Sequence, residues 1–353
     1  MTRIGIMGAG AIGSVVGGLL ALADHDVTLI DQWPAHVESI KRDGLRLSGT
    51  CGDHIVKVRA LHLYEAQSIG EPFDAVFLAV KGYDTDWATL FSIRFLRQQP
   101  DDGVIVDFQN GINDERVAAL AGRARTLGCV ITISAGLYEP GHAMRTDTSA
   151  IGFKIGELDG SDTPRARALA ELMNAVAPST TTTNLFGERW SKMTTNCMAN
   201  PLAGLSGYGS AEIRTEPLPR RIAIQVGAEV IRVGAAAGHT VEPIFGIVAQ
   251  RIVDAAAGRG LEEVEADMAR GAATLAGGRP SFLQDVMRGR RTEIDELNGF
   301  VVAEGKRLGV PTPFNTAVVE AVHQHAVGQL QPDPRNLEPL ARMLPVMQVV
   351  PTG

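Results

Sequence analysis

Residues 8–13 read Gly8-Ala9-Gly10-Ala11-Ile12-Gly13, directly behind the apolar run Ile4–Met7 and ahead of a run of helical length. No other feature constrains the chain as much. A strand that ends in GxGxxG and opens into a helix begins a dinucleotide-binding βαβ unit. Gly8 serves the tight turn, Gly10 lets a pyrophosphate approach the backbone, and Gly13 lets the helix pack on the strand. Free N–H groups and the dipole at the helix start supply positive potential for phosphates. Gly8, Ala9, Gly10, Ala11, Ile12 and Gly13 are therefore the expected cofactor loop. Asp31 closes the next predicted strand, 18 residues beyond Gly13, where an acid can accept ribose hydroxyls. The stretch Ile4–Ala23 carries no charge over twenty residues, enough to cross a bilayer, yet six of them are glycines. That spacing suits strand, turn and helix better than a membrane span or an export signal.

The alternation continues through the first half, as βαβ units require. Val27–Ile30, Ala75–Val80, Val104–Phe108 and Val130–Ser134 read as further strands, two of them nearly all apolar, as in a parallel sheet covered on both faces. Arg46–Ser48 and Ile55–Leu61 read as an added hairpin-like excursion, and Ser149–Leu158 as another strand before a helix at 165–176. The polar run Ser179–Asn184 marks the domain junction. Beyond it strand patterns nearly vanish, and 186–206, 217–238, 243–257, 281–308 and 312–328 have helical length and spacing. The fold class expected is α/β: an N-terminal Rossmann-type doubly wound parallel sheet (1–183), then an all-helical domain (184–328). Residues 329–353, with Pro332, Pro334, Pro339 and Pro345, read as a tail holding one helix around 336–343.

At 353 residues the chain is long enough for two domains with substantial cores. Its formal charge of −7 argues against nucleic acid as a partner, since phosphate neutralisation needs an excess of Lys and Arg. Cys51, Cys129 and Cys197 form no CxxC pair, which excludes a disulfide framework and ordinary zinc spacing and fits a reducing cytoplasm.

Several polar residues stand where a ligand would find them. Lys81 and Asn110 follow two predicted parallel strands, at the carboxyl ends that face the ligand crevice of a doubly wound sheet. Gly82 and Gly111 follow them and suit close backbone approach. In the second half, Lys192, Asn196 and Asn200 lie four apart and share one helix face, while Trp190, Met193, Cys197 and Met198 point elsewhere. A lysine with two asparagines on one stripe suits a site that grips a carboxylate and hydroxyls. A second segment, Pro280-Ser281-Phe282-Leu283-Gln284, has the form of a capping box with Ser281 as N-cap. Ser281, Asp285, Gly289 and Glu293 then follow at four-residue spacing.

Together, the glycine loop, Lys81-Gly82, Gln109-Asn110-Gly111, Lys192…Asn196…Asn200-Pro201 and the segment from Ser281 through Glu293-Ile294-Asp295 to Asn298-Gly299 resemble the ketopantoate reductase (2-dehydropantoate 2-reductase) family over about residues 1–328. The resemblance implies a cleft between a Rossmann domain and a helical domain. It also implies hydride transfer from a nicotinamide cofactor to the ketone of 2-dehydropantoate, a small anionic keto acid, giving pantoate for coenzyme A. By position, Lys192 matches the catalytic lysine and Glu293 its partner acid. Asn196, Asn200 and Ser281 match substrate-binding positions, Lys81 and Asn110 lie near nicotinamide and substrate, and Ala135 matches a cofactor-contacting backbone position. Elementary chemistry agrees, because hydride addition builds negative charge on an oxygen that a positioned ammonium stabilises and protonates.

Two departures matter. Many members place a basic residue after the second strand to hold the 2′-phosphate of NADPH, whereas Asp31-Gln32-Trp33-Pro34 offers a carboxylate. The cofactor is thus NAD(P)H, with NADH favoured by Asp31 and NADPH by family habit. An Asn frequent after the Asn-Pro segment falls near Ser210 here. A dehydrogenase of another small 2-keto or hydroxy acid is the alternative reading, and a non-catalytic nucleotide sensor a third, which the pair Lys192 and Glu293 argues against. The oligomeric state, a homodimer included, is open.

Overall fold

A computed structural model describes residues 2–98, 103–147, 150–272 and 279–345. The chain divides into two compact units, Met1–Leu185 and Phe186–Gly353.

The first unit holds two sheets. Its strands are β1 (Arg3–Met7), β2 (Asp26–Asp31), β3 (Leu45–Gly49), β4 (His54–Val56), β5 (Arg59–His62), β6 (Ala75–Leu78), β7 (Val104–Asp107), β8 (Thr126–Ile131), β9 (Ala135–Glu139), β10 (His142–Arg145), β11 (Phe153–Gly156) and β12 (Ser179–Thr181). The larger sheet runs β12-β11-β8-β7-β6-β1-β2-β5, parallel from β5 through β8. The chain winds outward from β1 to β5, then returns to β1's other side as β6. The strand ends there form the topological switch point, where open α/β sheets bind ligands.

Helices α1 (Ala11–Leu22), α2 (Pro34–Asp43), α3 (Thr85–Ser92), α4 (Asp114–Ala121) and α5 (Pro164–Met173) complete this unit. Strand side chains alternate between two cores, as the pleat requires. Ile4, Ile6 and Leu29 face α1, α2 and α5, whereas Met7, Ile30 and Leu78 face Ala88 of α3 and Val117 of α4. Helix α1 lies between the two sheets. A Cβ on Gly17 would touch Leu29 of the large sheet, and one on Gly18 would touch Leu45 and Leu47 of the small sheet β4-β3-β10-β9. This explains the uncharged run Ile4–Ala23: its helix is covered on two sides. No helix among the described residues is long and apolar enough to cross a membrane.

Several sequence expectations need correction. Ile55–Leu61 is not one strand of a hairpin: β4 pairs antiparallel with β3, while β5 joins the large sheet beside β2. The strand expected at Val130–Ser134 begins earlier, at Thr126, because Gly128 interrupts the apolar pattern. That glycine is required by packing, since its Cβ would collide with Leu185 and Asp114. The hairpin β9–β10 was not anticipated. Part of the run Ser179–Asn184 is β12, an edge strand. The expected strand start at Ser149 lies outside the described residues, and the strand after it spans only Phe153–Gly156.

The second unit is helical: α6 (Leu185–Ser206), α7 (Ser210–Thr215), α8 (Pro217–Ala236), α9 (Ala249–Ala256), α10 (Leu261–Ala272), α11 (Ser281–Met287), a π-helical turn (Asp295–Gly299), α12 (Phe300–Leu308), α13 (Pro313–His323) and α14 (Glu338–Ala341). Residues 243–248 do not continue α9 backward. Ile244 and Ile247 pair across a turn whose Phe245 and Gly246 both have positive φ. The expected helix 281–308 is broken after Met287. Gly289 takes φ +63°, and the N–H of Arg290 returns to the Asp285 carbonyl, closing the helix end. The stretch read as a tail is packed in part: Leu337 and Leu340 are buried, and the N–H of Asp333 and the Asn336 amide both donate to the Leu205 carbonyl.

Candidate active site

In the first unit all the candidate residues but Ala135 gather at the carboxyl ends of β1, β2, β6 and β7. Gly8 has φ +97°, and a Cβ there would lie 2.8 Å from the Ala79 backbone of the neighbouring strand end. A Cβ on Gly13 would fall on the Gly8 carbonyl oxygen. Both glycines are thus fixed by the path of the loop itself. Gly10 differs: a Cβ there meets nothing within 4 Å, so the cradle it leaves is open for a ligand. The first turn of α1 carries no acidic side chain. An open cradle at a twelve-residue helix's N-terminus, free of negative charge, fits a dinucleotide pyrophosphate. Ala11 and Ile12 form that first turn.

Asp31 sits at the end of β2 and is held from two sides. One carboxylate oxygen accepts the Ala9 N–H at 2.6 Å and the other the Trp33 N–H at 2.7 Å. Lys81 precedes the short 3₁₀ turn Gly82–Asp84, and Asn110 follows β7 by three residues. Gln109 ties their loops together: its amide N–H group reaches the Val80 and Lys81 carbonyls and the Thr85 hydroxyl at 3.0–3.2 Å. Gln109 is a functional residue that the sequence pattern alone does not single out. Its place directly before Asn110-Gly111 was the available signal. Ala135 opens β9 opposite Arg145, and its side chain packs on the large core.

In the second unit, α6 carries Lys192, Asn196 and Asn200. Trp190, Met193, Cys197 and Met198 are buried on its other sides, where Gly227 and Gly234 of α8 allow close approach. Burial pushes the Cys197 thiol far above its usual pKa, so it is a packing group and not a nucleophile. Lys192 is half-buried, while Asn196 and Asn200 are 6 % and 8 % exposed. Ser281 is the first residue of α11, but the cap position belongs to Pro280, and no side-chain hydrogen bond caps this helix. The capping-box expectation is therefore wrong: Gln284 donates to the Arg279 carbonyl instead. A ring edge of Phe282 fills the space beside Gly204, one turn beyond Asn200, which brings the start of α11 to the far end of the α6 stripe. The Asn200 amide and the Ser281 hydroxyl make no hydrogen bond among the described residues. Glu293 is 5 % exposed and lies just before the π-helical turn, beyond the Gly289 break and not on Ser281's helix. Its neighbour Glu296 has its carboxyl raised, by burial first and with Glu293's charge contributing. Among the described residues no group of His, Cys, Asp and Glu could hold a metal.

A Rossmann unit with an open glycine cradle, followed by a helical unit carrying a lysine–asparagine stripe, defines a nucleotide-dependent oxidoreductase. Two family profiles match the chain: "Ketopantoate reductase PanE/ApbA" over residues 4–160 and "Ketopantoate reductase PanE/ApbA C terminal" over 184–326. The chain is 30 % identical to the 2-dehydropantoate 2-reductase of Archaeoglobus fulgidus over 322 residues, covering 91 % of this chain and 96 % of that one. The crystal structure of a PanE/ApbA family ketopantoate reductase from Ralstonia eutropha JMP134 superposes with TM-score 0.75 at 28 % identity, over 91 % and 97 % of the two chains. A ternary D-mandelate dehydrogenase structure with NADH and anilino(oxo)acetate shares the fold, with TM-score 0.78 at 23 % identity over 91 % and 97 %. The chain belongs to the ketopantoate reductase family, whose members use NAD(P)H.

Proposed function

We propose that this protein is a 2-dehydropantoate 2-reductase that prefers NADH. In this reading residues 1–183 bind the dinucleotide and residues 184–328 bind and protonate the keto acid. The loop Gly8–Gly13 holds the pyrophosphate, Asp31 the adenosine ribose, and Lys81, Asn110 and the Ala135 backbone border the nicotinamide. When bound, the nicotinamide supplies the hydride to the ketone carbon. The Lys192 ammonium faces the carbonyl oxygen as negative charge develops there and gives it a proton at Nζ. Glu293 accepts a hydrogen bond from the new hydroxyl and keeps the lysine charged. Asn196, Asn200 and Ser281 grip the substrate's carboxylate and hydroxyl. In an acidic protein, Lys192 also supplies the local positive charge that an anionic substrate needs.

The observation that carries this reading is the uncommitted pair at the end of the α6 stripe. The Asn200 amide and the Ser281 hydroxyl make no bond to the described residues and both still reach solvent, so two polar groups at one end of the stripe are free to bond a ligand. Ser210, where the family often has Asn, favours a second reading: a dehydrogenase of another small 2-keto acid using the same lysine and glutamate. Steady-state assays with NADH and NADPH across a panel of 2-keto acids separate the two. The highest kcat/KM should fall on 2-dehydropantoate. A different acid at the top supports the second reading, and cofactor binding with no turnover rejects both. A cytoplasmic location belongs to the same proposal, supported by three cysteines of which none is in a disulfide.

A further inference from the structure

Behind the glycine loop lies a chain of hydrogen bonds between residues far apart in sequence. Ser14, fully buried in α1, donates its hydroxyl to the Ala9 carbonyl at 2.8 Å. His36 of α2, also fully buried, places Nε2 3.1 Å from the Ser14 hydroxyl. Its Nδ1 lies 2.8 Å from the N–H of Gly141, at the turn between β9 and β10. A backbone N–H can only donate, so Nδ1 is an acceptor and the neutral ring carries its proton on Nε2. The direction of every bond follows: Gly141 N–H to His36, His36 Nε2–H to Ser14, Ser14 O–H to Ala9. On its other side the Ala9 N–H donates to Asp31. Both peptide groups flanking Ala9 are therefore pinned, which leaves the neighbouring Gly10 facing the open cradle.

We propose that His36, acting through Ser14, is a positioning residue for the dinucleotide loop, and that only its neutral form holds the loop in its binding shape. This rests on the reading of Gly8–Gly13 as the cofactor loop. Protonation would put a hydrogen on Nδ1 facing the Gly141 N–H, and two donors would then oppose each other. The charged group facing the ring is Asp31 at the end of β2. Trp33 stacks on the ring, 5.5 Å between centroids, and α1 brings only the uncharged Ser14. The hairpin's Glu139 and His142 are bonded to each other, and on α2 itself Glu38 and Lys41 are engaged with His62 and Glu65. Burial lowers the imidazole below its usual value and outweighs the opposing pull of Asp31. The relay is thus intact at neutral pH, and it is lost as pH falls below the ordinary imidazole range.

The test measures NADH dissociation constants by fluorescence from pH 7.5 down through the protonation of His36 for wild type, His36→Gln, His36→Leu and Ser14→Ala, with Tm recorded for each. Gln offers one acceptor and one donor and cannot titrate. It should bind within about threefold of wild type at pH 7.5 and lack the weakening that wild type shows at the acid pH where the ¹⁵N shifts place protonation of His36; a wild type whose affinity is unchanged across that step overturns the proposal. Leu and Ala should each weaken NADH about tenfold at pH 7.5. Variants that lose Tm but bind NADH like wild type, or a Gln variant that keeps the wild-type pH dependence, would overturn the proposal as a merely structural role. Imidazole ¹⁵N shifts of the ligand-free protein give a readout independent of the cofactor. A His36 signal with the proton on Nδ1 overturns the relay. The Nε2–H form together with no dinucleotide binding by wild type would instead reject the reading of the loop, and the proposal with it.

Discussion

The two units present their candidate residues on different materials. At the mouth of the Rossmann unit the working atoms are mostly main chain: N–H groups of the glycine loop, with Gly8 and Gly13 fixed by backbone a Cβ would strike. In the helical unit α6 is a continuous helix despite Pro201 within it, and under the proposed function the chemistry falls to the side chains Lys192, Asn196 and Asn200. A site made of backbone depends on the loop's path, so changing it disturbs folding and cofactor binding together. A site made of side chains on a buttressed helix can lose one group and keep its shape. Substitutions in the two units should therefore fail in different measurements.

The sharpest contrast comes from Lys192→Ala. Removing the proton donor should lower kcat by about a hundredfold or more, equivalent to about 2.7 kcal/mol of barrier, and Glu293→Ala should follow in the same direction. The dissociation constant for NADH should stay within about threefold for Lys192→Ala, because that side chain belongs to the helical unit. Near-normal kcat in a folded Lys192→Ala protein would remove the assigned role.

The same division decides what the sequence made legible. β1, the glycine turn and α1 are contiguous, and the switch from strand to helix period is visible within twenty residues. The stripe on α6 was equally legible, since one long helix displays it at fixed spacing. The hairpin β9–β10 was not, because each strand is short and β10 finds its parallel partner β3 about a hundred residues away, pairing Ala143 with Leu47. His36 escaped notice for the same reason: its partners Ser14 and Gly141 lie 22 and 105 residues distant. The break after Met287 shows a different limit. Four-residue spacing from Ser281 to Glu293 looks continuous in sequence, but periodicity does not register that Gly289 turns left-handed. Nor did the Ser–Gln spacing reveal that Pro280 had taken the cap.

Gly13→Ala probes the backbone side of the comparison. The methyl group would fall on the Gly8 carbonyl oxygen, so strand β1 and helix α1 must separate or the loop must move. Overpacking of this kind costs about 1–3 kcal/mol, readable by denaturant unfolding, and NADH should bind about tenfold more weakly. Gly10→Ala meets nothing within 4 Å in the protein, so it should leave stability nearly unchanged while still weakening the dinucleotide. Equal stability losses for the two variants would contradict the distinction between a glycine needed by the fold and one needed by the ligand.

The smallest expected effect concerns cofactor choice, where a single side chain operates in the backbone-dominated unit. Asp31 is clamped by the N–H groups of Ala9 and Trp33, so it cannot turn away from a 2′-phosphate without losing both bonds. The nearby cations are also engaged: Lys41 with Glu38 and Glu65, and Arg42 with Asp43. Two unit charges of like sign about 4 Å apart repel by about 4 kcal/mol at the effective dielectric near a protein surface, and salt reduces this further. Each carboxylate oxygen still has a lone pair for a ribose hydroxyl. NADH should therefore give the higher kcat/KM. Asp31→Asn removes the charge but can accept from only one of the two N–H groups, so it should narrow the NADH-to-NADPH ratio about threefold to tenfold while slightly weakening NADH itself. The measurement is kcat/KM for both cofactors in both proteins. A wild type that favours NADPH, with a ratio unmoved in Asp31→Asn, would mean that the carboxylate serves only to brace Ala9 and never meets the ribose.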